Sequence, residues 1–453
     1  MKRLLATVAL VALACSAAVA GEYNWKQQAG KEIKIIFVQH TYAEGMMKKL
    51  PEFEALTGIK VDYSIMPEEN LFDKLTTSLS SGSSELDVIM IPNFNIWQYA
   101  GAGFLEPLDN FINKPGIYNP EYDFEDFFPA LRNLNRWSCV PGEAVGTGNQ
   151  WIMPVGFEYN GFMYNTEVFA KFGLKPPKTL DELYELCVKL NEFEGPGTYA
   201  MAVRGVRHWN AIVQGFITTF RNFGAKDMVF EDGKLVSKVN SPESVAAHEY
   251  WIKCLKAGGP NNYLTQTWAQ SGADFGARKA AFLYDADNLG YPTNFPGRTQ
   301  ESGKLAFAPV PSLKGDDNWQ CNLINWGLGV SANSRNKDAA WLFVQYFTGP
   351  EYQTWSSTVW SSIDPPRKSV FDNPKFQEII AGHQGFSEAL AISIPKATSL
   401  ETPHPMFGEI YTAWQSTIQD LYSGKYPTIQ EGLDRLKEEI DGMLREYDEE
   451  MGS

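Results

Sequence analysis

FEYNGFMYN, residues 157–165, sets four aromatic rings, one carboxylate and two asparagines between Pro154 and a following helical segment. Aromatic residues favour strands, so the stretch reads first as a buried strand. Glu158, Asn160 and Asn165 pull the other way, because a polar group in a closed apolar core is costly unless it finds a hydrogen-bond partner. The stretch is either a core strand with awkward polar guests or the border of a wet, aromatic-lined cleft.

Upstream of it the chain alternates strand and helix. IKIIFV (33–38) is a continuous apolar run of the kind buried on both faces of a parallel sheet. A helix is expected from Met46 to Thr57, stopped by Gly58. KVDYSI (60–65) is a second strand, a helix through Leu71, Leu75 and Leu79 follows, and LDVIMIP (86–92) is a third strand. That βαβαβ order predicts an α/β domain with a parallel sheet. Ligands of such sheets bind beyond the carboxyl ends of the strands. Those ends carry QHTYAE (39–44) and NFN (93–95), which makes His40, Glu44 and Asn93 candidate contacts to an uncharged ligand.

Downstream, the chain is written in helix chemistry. Thr179 with Glu182, and Thr428 with Glu431, form capping boxes, and Ser241-Pro242-Glu243 sets a cap, a first-turn proline and an acid in order. The last helix puts Leu433, Leu436, Ile440, Met443 and Leu444 on one face. Short strands, YAMAV (199–203) and AAFLY (280–284), sit between helical stretches. With no heptads, repeats or low-complexity linkers, two α/β lobes without a flexible tether are expected.

The first residues, MKRLLATVALVALACSAAVA, carry Lys2 and Arg3, a short apolar run and a small-residue cleavage site. They predict a secretory signal peptide over 1–20; the rival reading, lipidation at Cys15, finds Ala12 where that pattern prefers Leu. Without Lys2 and Arg3, 37 of the 39 Lys and Arg remain against 54 Asp and Glu, a net charge of −17. Such a surface argues against nucleic acid or anionic lipid as a partner. Of the four remaining cysteines, Cys187 falls on an apolar helix face, and Cys139 with Cys321 is the more plausible bridge in an oxidising compartment.

The five histidines show no metal spacing, and there is no zinc cysteine pair, P-loop or GxSxG, so neither a metal nor a cofactor is expected. DADN (285–288) faintly resembles a calcium loop, but the glycine and distal glutamate are misplaced. What stands out is a set of aromatics beside hydrogen-bonding groups: Arg204 with RHWN (207–210), Tyr284-Asp285, and Asn325-Trp326. Each alone has a bland reading, Trp209 as core and Tyr284 as a strand end. Together they suit a sugar, whose C–H faces stack on rings and whose hydroxyl rim bonds Asp, Glu, Asn and Arg. Paired carboxylates of a glycosidase can lie anywhere in a chain, so a secreted glycoside-active enzyme stays the alternative.

These segments resemble the extracellular solute-binding proteins of ABC transporters, in the group of the maltose-binding protein. IMPVGFEYNGFMYNTEVFAKFGLKPPKTLDELYELCVKL is similar to that family's first crossing strand, KAAFLYDADN to the strand whose end reaches the sugar, and LAFAPVPSLKG to the second crossing. WGLGVSANS, KDAAWLFVQYFTG, IDPPRKSV and the last two helices follow in the family's order. The resemblance implies an α/β, two-lobed periplasmic-binding-protein fold of type II, with the ligand cleft between lobes joined by crossing hinge strands. It puts 22–157 and 312–360 in the first lobe, and 158–311 and 361–453 in the second. FEYNGFMYN then leaves one lobe for the other, and Glu158 and Tyr159 face the cleft. The implied function is capture of a monosaccharide, sugar alcohol or small oligosaccharide by a periplasmic monomer and its delivery to the membrane permease, without catalysis. Arg204, Trp209, Tyr284, Asp285 and Trp326 are the further contacts expected, and Arg367, in the family's P-x-R-K segment, is the contact completed on closure.

Overall fold

The computed structural model describes residues 22–360 and 364–452, so the signal peptide and Cys15 lie outside the described residues. The first three strands follow the predicted order: β1 (Glu32–Val38), β2 (Lys60–Met66) and β3 (Val88–Pro92) are parallel, with β1 in the middle. The helix joining β1 to β2 covers Thr41–Thr57, beginning earlier than its apolar pattern suggests because His40 caps it. It stops at Gly58, whose left-handed backbone (φ 73°) suits glycine.

FEYNGFMYN lies within β4 (Met153–Asn165), a strand shared by two halves of the molecule. Beyond it come β5 (Tyr199–Ala202), β6 (Ala280–Ala286), β7 (Leu305–Ala308) and β8 (Cys321–Ser331). Residues of β4 up to Tyr159 pair antiparallel with β8, which itself lies beside β3. From Asn160 onward β4 pairs with β6 and β7, and β6 lies parallel to β5. The order β2-β1-β3-β8-β4-β6-β5 therefore holds two lobes, with β4 and β8 passing between them. Local chemistry sets the helices as read: Thr179 and Glu182 complete a capping box, Ser241 caps Pro242–Gly258, and Thr428 caps Ile429–Met451.

The lobe boundaries shift. Ser312 exchanges backbone bonds with Lys178 and Leu180, and Asn322 is held by Thr218, Val213 and Glu401, so 312–322 stay on the second lobe. The second crossing is the middle of β8, not residues 308–311; β7 pairs only with β4, inside the second lobe. Conversely, residues 366–369 remain on the first lobe, where Pro366, Lys368 and Ser369 bond Phe128, Glu125 and Asp126. Pro309 follows the last residue of β7, where it withholds a ladder donor, and does not mark a change of lobe. Cys139 and Cys321 are free thiols: Cys139 is half-buried, while Cys321 is buried at the start of β8 with its Sγ 3.7 Å from the Ser393 carbonyl.

Candidate functional site

On one face of the crossing strands, Glu158 of β4 and Ile324 and Trp326 of β8 look into a cavity walled by both lobes. The first lobe adds His40 after β1, Glu68 after β2, and Pro92 and Phe94 at the end of β3. The second adds Arg204, Trp209, Asn210 and Val213 beyond β5, Asn288 beyond β6, and Trp268 at the start of the helix Trp268–Gly276. Most stand past the carboxyl ends of parallel strands, where α/β sheets leave a crevice. About 370 Å³ of empty space separates these side chains, and only about 20 Å³ of it admits the centre of a water molecule. One water needs roughly 10–15 Å³ of such room, so the lobes stand closed.

His40 is placed by the helix it caps. Its Nδ1 accepts the Tyr42 N–H at 3.3 Å, which leaves Nε2 as the ring's donor, 3.6 Å from Glu158 Oε1. Its ring packs against Tyr42, Trp268 and Trp326 at 4.6, 5.5 and 5.7 Å between centroids. Tyr42 is fixed in turn: its hydroxyl donates to the Phe157 carbonyl at 3.0 Å, and its ring lies where a Cβ on Gly156 would fall only 2.5 Å away. Burial, then Glu158, Asp364 and Asp287, push the Tyr42 phenol well above its ordinary pKa.

Across the cavity, Arg204 is spent on Asp285. Its Nε lies 2.9 and 3.0 Å from the two carboxylate oxygens and its Nη2 2.6 Å from Oδ1, while Nη1 donates to the Asn210 carbonyl at 3.1 Å. Burial works against the guanidinium charge, but Asp285 outweighs it and raises the Arg204 pKa. Both side chains are buried, so the pair is nearly neutral to anything in the cleft.

Rings knit the lobes together around this polar centre. Trp209 lies 5.1 Å from Phe72 and 5.9 Å from Phe94 of the first lobe, and Phe407 of the second stacks on Phe94 at 4.9 Å and 18°. Trp and Phe suit such a seam because they carry large contact area at an interface.

Of the residues expected from the sequence, the structure brings His40, Glu158, Arg204, Trp209 and Trp326 to the cavity wall. Asp285 stands behind Arg204 and does not face the cavity. Asn93 is fully buried behind the wall, exchanging backbone and side-chain bonds with Asn325. Tyr159 points to the other face of β4, since successive strand residues alternate, and its N–H donates to Asp287 at 3.1 Å. Tyr284 lies in the second lobe's core, its hydroxyl 3.2 Å from Thr219 and its ring against Trp251. Glu44 is exposed on the helix His40 caps. Arg367 is no closure contact: it is fully buried in the first lobe, bonded to the Thr348 and Asp123 carbonyls and Asp126, with its guanidinium over the Phe127 ring at 3.9 Å. Glu68 and Trp268 line the cavity without having been singled out, while Asn210 and Asn288 do so from the quoted stretches RHWN and DADN. A tryptophan in the first turn of a Thr267-capped helix is the signal that pointed to Trp268.

Two α/β lobes joined by crossing strands, with a polar, ring-lined cavity between them, define a two-lobed periplasmic-binding-protein fold. The chain belongs to the bacterial extracellular solute-binding protein family, whose model matches residues 39–354. It is 35% identical over 407 residues to the erythritol/L-threitol-binding protein of Mycolicibacterium smegmatis, covering 90% of this chain and 85% of that protein. Its fold is similar to that of an ABC transporter solute-binding protein from Agrobacterium vitis S4 with bound D-mannitol, with a TM-score of 0.78 at 21% identity over 92% of this chain and 99% of that one. A solute-binding protein of Agrobacterium radiobacter K84 in complex with ribitol gives a TM-score of 0.79 at 19% identity over 91% and 98% of the two chains.

Proposed function

We propose that this protein is the periplasmic receptor of an ABC transporter for a short polyol. It takes the solute between open lobes, closes on it, and presents the closed form to the membrane permease, acting as a monomer and catalysing nothing. The observation that carries this reading is the chemistry of the cleft. Rings from both lobes flank His40, Glu68, Glu158 and neutral amides, while the one arginine in the wall is neutralised by its own aspartate. An uncharged molecule with C–H faces and many hydroxyls matches that wall, and the small enclosed space favours a short one over an oligosaccharide. The 35% identical relative, an erythritol/L-threitol-binding protein, supports a four-carbon polyol.

A thermal-shift screen tests it. Ligand at 100 times its Kd stabilises by about 2.7 kcal/mol. Erythritol and L-threitol should raise the melting temperature, pentitols and hexitols less, and maltose not at all. A response confined to maltose or longer sugars would overturn the polyol reading, and turnover of any sugar by the purified protein would overturn the binding reading.

A further inference from the structure

Once Arg204 and Asp285 are paired, the second lobe's polar offer to the cleft is carried by the side-chain amides of Asn210 and Asn288. Asn210 lines the cavity at 1% exposure, and neither its side-chain oxygen nor its side-chain nitrogen has a partner. A buried amide with both ends unpaired is costly, and a native structure keeps one only where something else offsets the cost. Asn288 also lines the cavity with its side-chain oxygen unpaired, whereas Asn210 has both ends of its amide unpaired there; Gln214 and Asn325 carry unpaired amides too, but neither lines the cavity.

The backbone of Asn210 is pinned on both sides. Its N–H donates to His208 Nδ1 at 3.3 Å, and its carbonyl accepts from Arg204 Nη1 at 3.1 Å. Arg204 is therefore a positioning residue: Asp285 fixes the guanidinium, and the guanidinium fixes the turn Trp209–Ala211 that carries the amide. A side chain held from a rigid turn loses little freedom when it bonds a ligand.

We propose that Asn210 sets the specificity of the cleft by reading two neighbouring hydroxyls, its carbonyl oxygen accepting from one and its amino group donating to the other. The inference rests on the polyol reading above and narrows it to ligands with a vicinal diol at this wall. An amide both accepts and donates, as a pair of hydroxyls requires, whereas a carboxylate ligand would leave the amide oxygen facing an acceptor and would meet Glu158 across the cavity. A site that hydrogen-bonds a hydroxyl discriminates strongly against the analogue that lacks it, because the site's own groups are then left unpaired.

The test is calorimetric titration of the wild type, Asn210→Leu and Asn210→Ala with erythritol and with 1,4-butanediol, which has the same carbon chain but no vicinal pair of hydroxyls. Wild type should prefer erythritol by about tenfold or more. Asn210→Leu should bind erythritol at least about tenfold more weakly, lose much of the preference over 1,4-butanediol, and melt no lower than wild type without ligand, since an apolar side chain of similar shape replaces an unpaired amide. Asn210→Ala should show the same loss of preference if the leucine variant folds poorly. Erythritol binding by the wild type with unchanged preference in both variants overturns the role of Asn210 alone. If the wild type binds no polyol at all, the polyol reading falls and this inference with it.

Discussion

The two faces of the crossing strands make opposite kinds of space. In front, Glu158, Ile324 and Trp326 border the closed polar cleft, with about 370 Å³ of empty space. Behind, their immediate neighbours Phe157 and Leu323 border an apolar hollow of about 1,140 Å³ of empty space, walled by Phe128, Leu131, Phe371, Ile380, Leu390 and Ile394. The period-two alternation of a strand sends adjacent residues to opposite faces, so one short sequence serves both. FEYNGFMYN is neither a core strand nor a cleft strand alone; it is the partition between a polar cleft and an apolar hollow.

The largest effect should come from breaking the support of the front wall. Asp285→Asn leaves Arg204 charged, buried and unpaired, which should cost about 3–5 kcal/mol in chemical denaturation. The sequence alone suggests a ligand contact whose loss spares the fold, so a variant of wild-type stability with weakened binding would return Asp285 to the ligand. Behind the partition, Phe157→Ala should cost roughly 3 kcal/mol, at the low end for a buried phenylalanine because one side already faces a hollow. Its polyol affinity should stay near wild type, and a large loss of affinity without loss of stability would erase the distinction between the faces.

Between the faces stands Asp287, fully buried, whose carboxyl is raised from 3.8 to about 7 first by burial, and which accepts the Tyr159 N–H. Between those values the folded state holds more protons than the unfolded one, so this group makes stability fall as pH rises from about 4 to 7, by up to about 1.4 kcal/mol per pH unit. Asp287→Asn should flatten that slope, matching wild type near pH 4 and exceeding it at pH 8. Equal slopes in denaturation series would show that Asp287 ionises freely in the fold. The smallest effect belongs to Glu158→Gln, which keeps the shape and removes the charge 3.6 Å from His40. Erythritol should bind about tenfold more weakly with stability little changed, as befits loss of a charged hydrogen-bond partner at a wall.

The strand order, the caps and the lobed class are legible in the sequence because they follow from short-range rules: the apolar run of IKIIFV, the Thr179–Glu182 box, the left-handed stop at Gly58. Glu158, His40, Trp209 and Trp326 are legible as site residues because polar groups stand among rings at strand ends. What sequence conceals is partnership at long range. Arg204 and Asp285 lie 81 positions apart, and no local pattern says that they will neutralise each other instead of the ligand. Arg367 likewise finds its partners at Asp123, Asp126 and Thr348 in the first lobe, so a motif that looks like a closing contact becomes a buried brace. Asn210 sits beside the conspicuous Trp209, and only the accounting of its unpaired amide distinguishes it.

Closure is the central claim, and small-angle scattering addresses it directly. Trp209 of the second lobe meets Phe72 and Phe94 of the first across the cleft, so a polyol has to enter with the lobes apart. Without ligand, the radius of gyration should exceed that calculated for the closed form, and saturating erythritol should bring it down to that value. Tight binding of erythritol with a scattering profile identical before and after saturation would contradict capture by lobe closure.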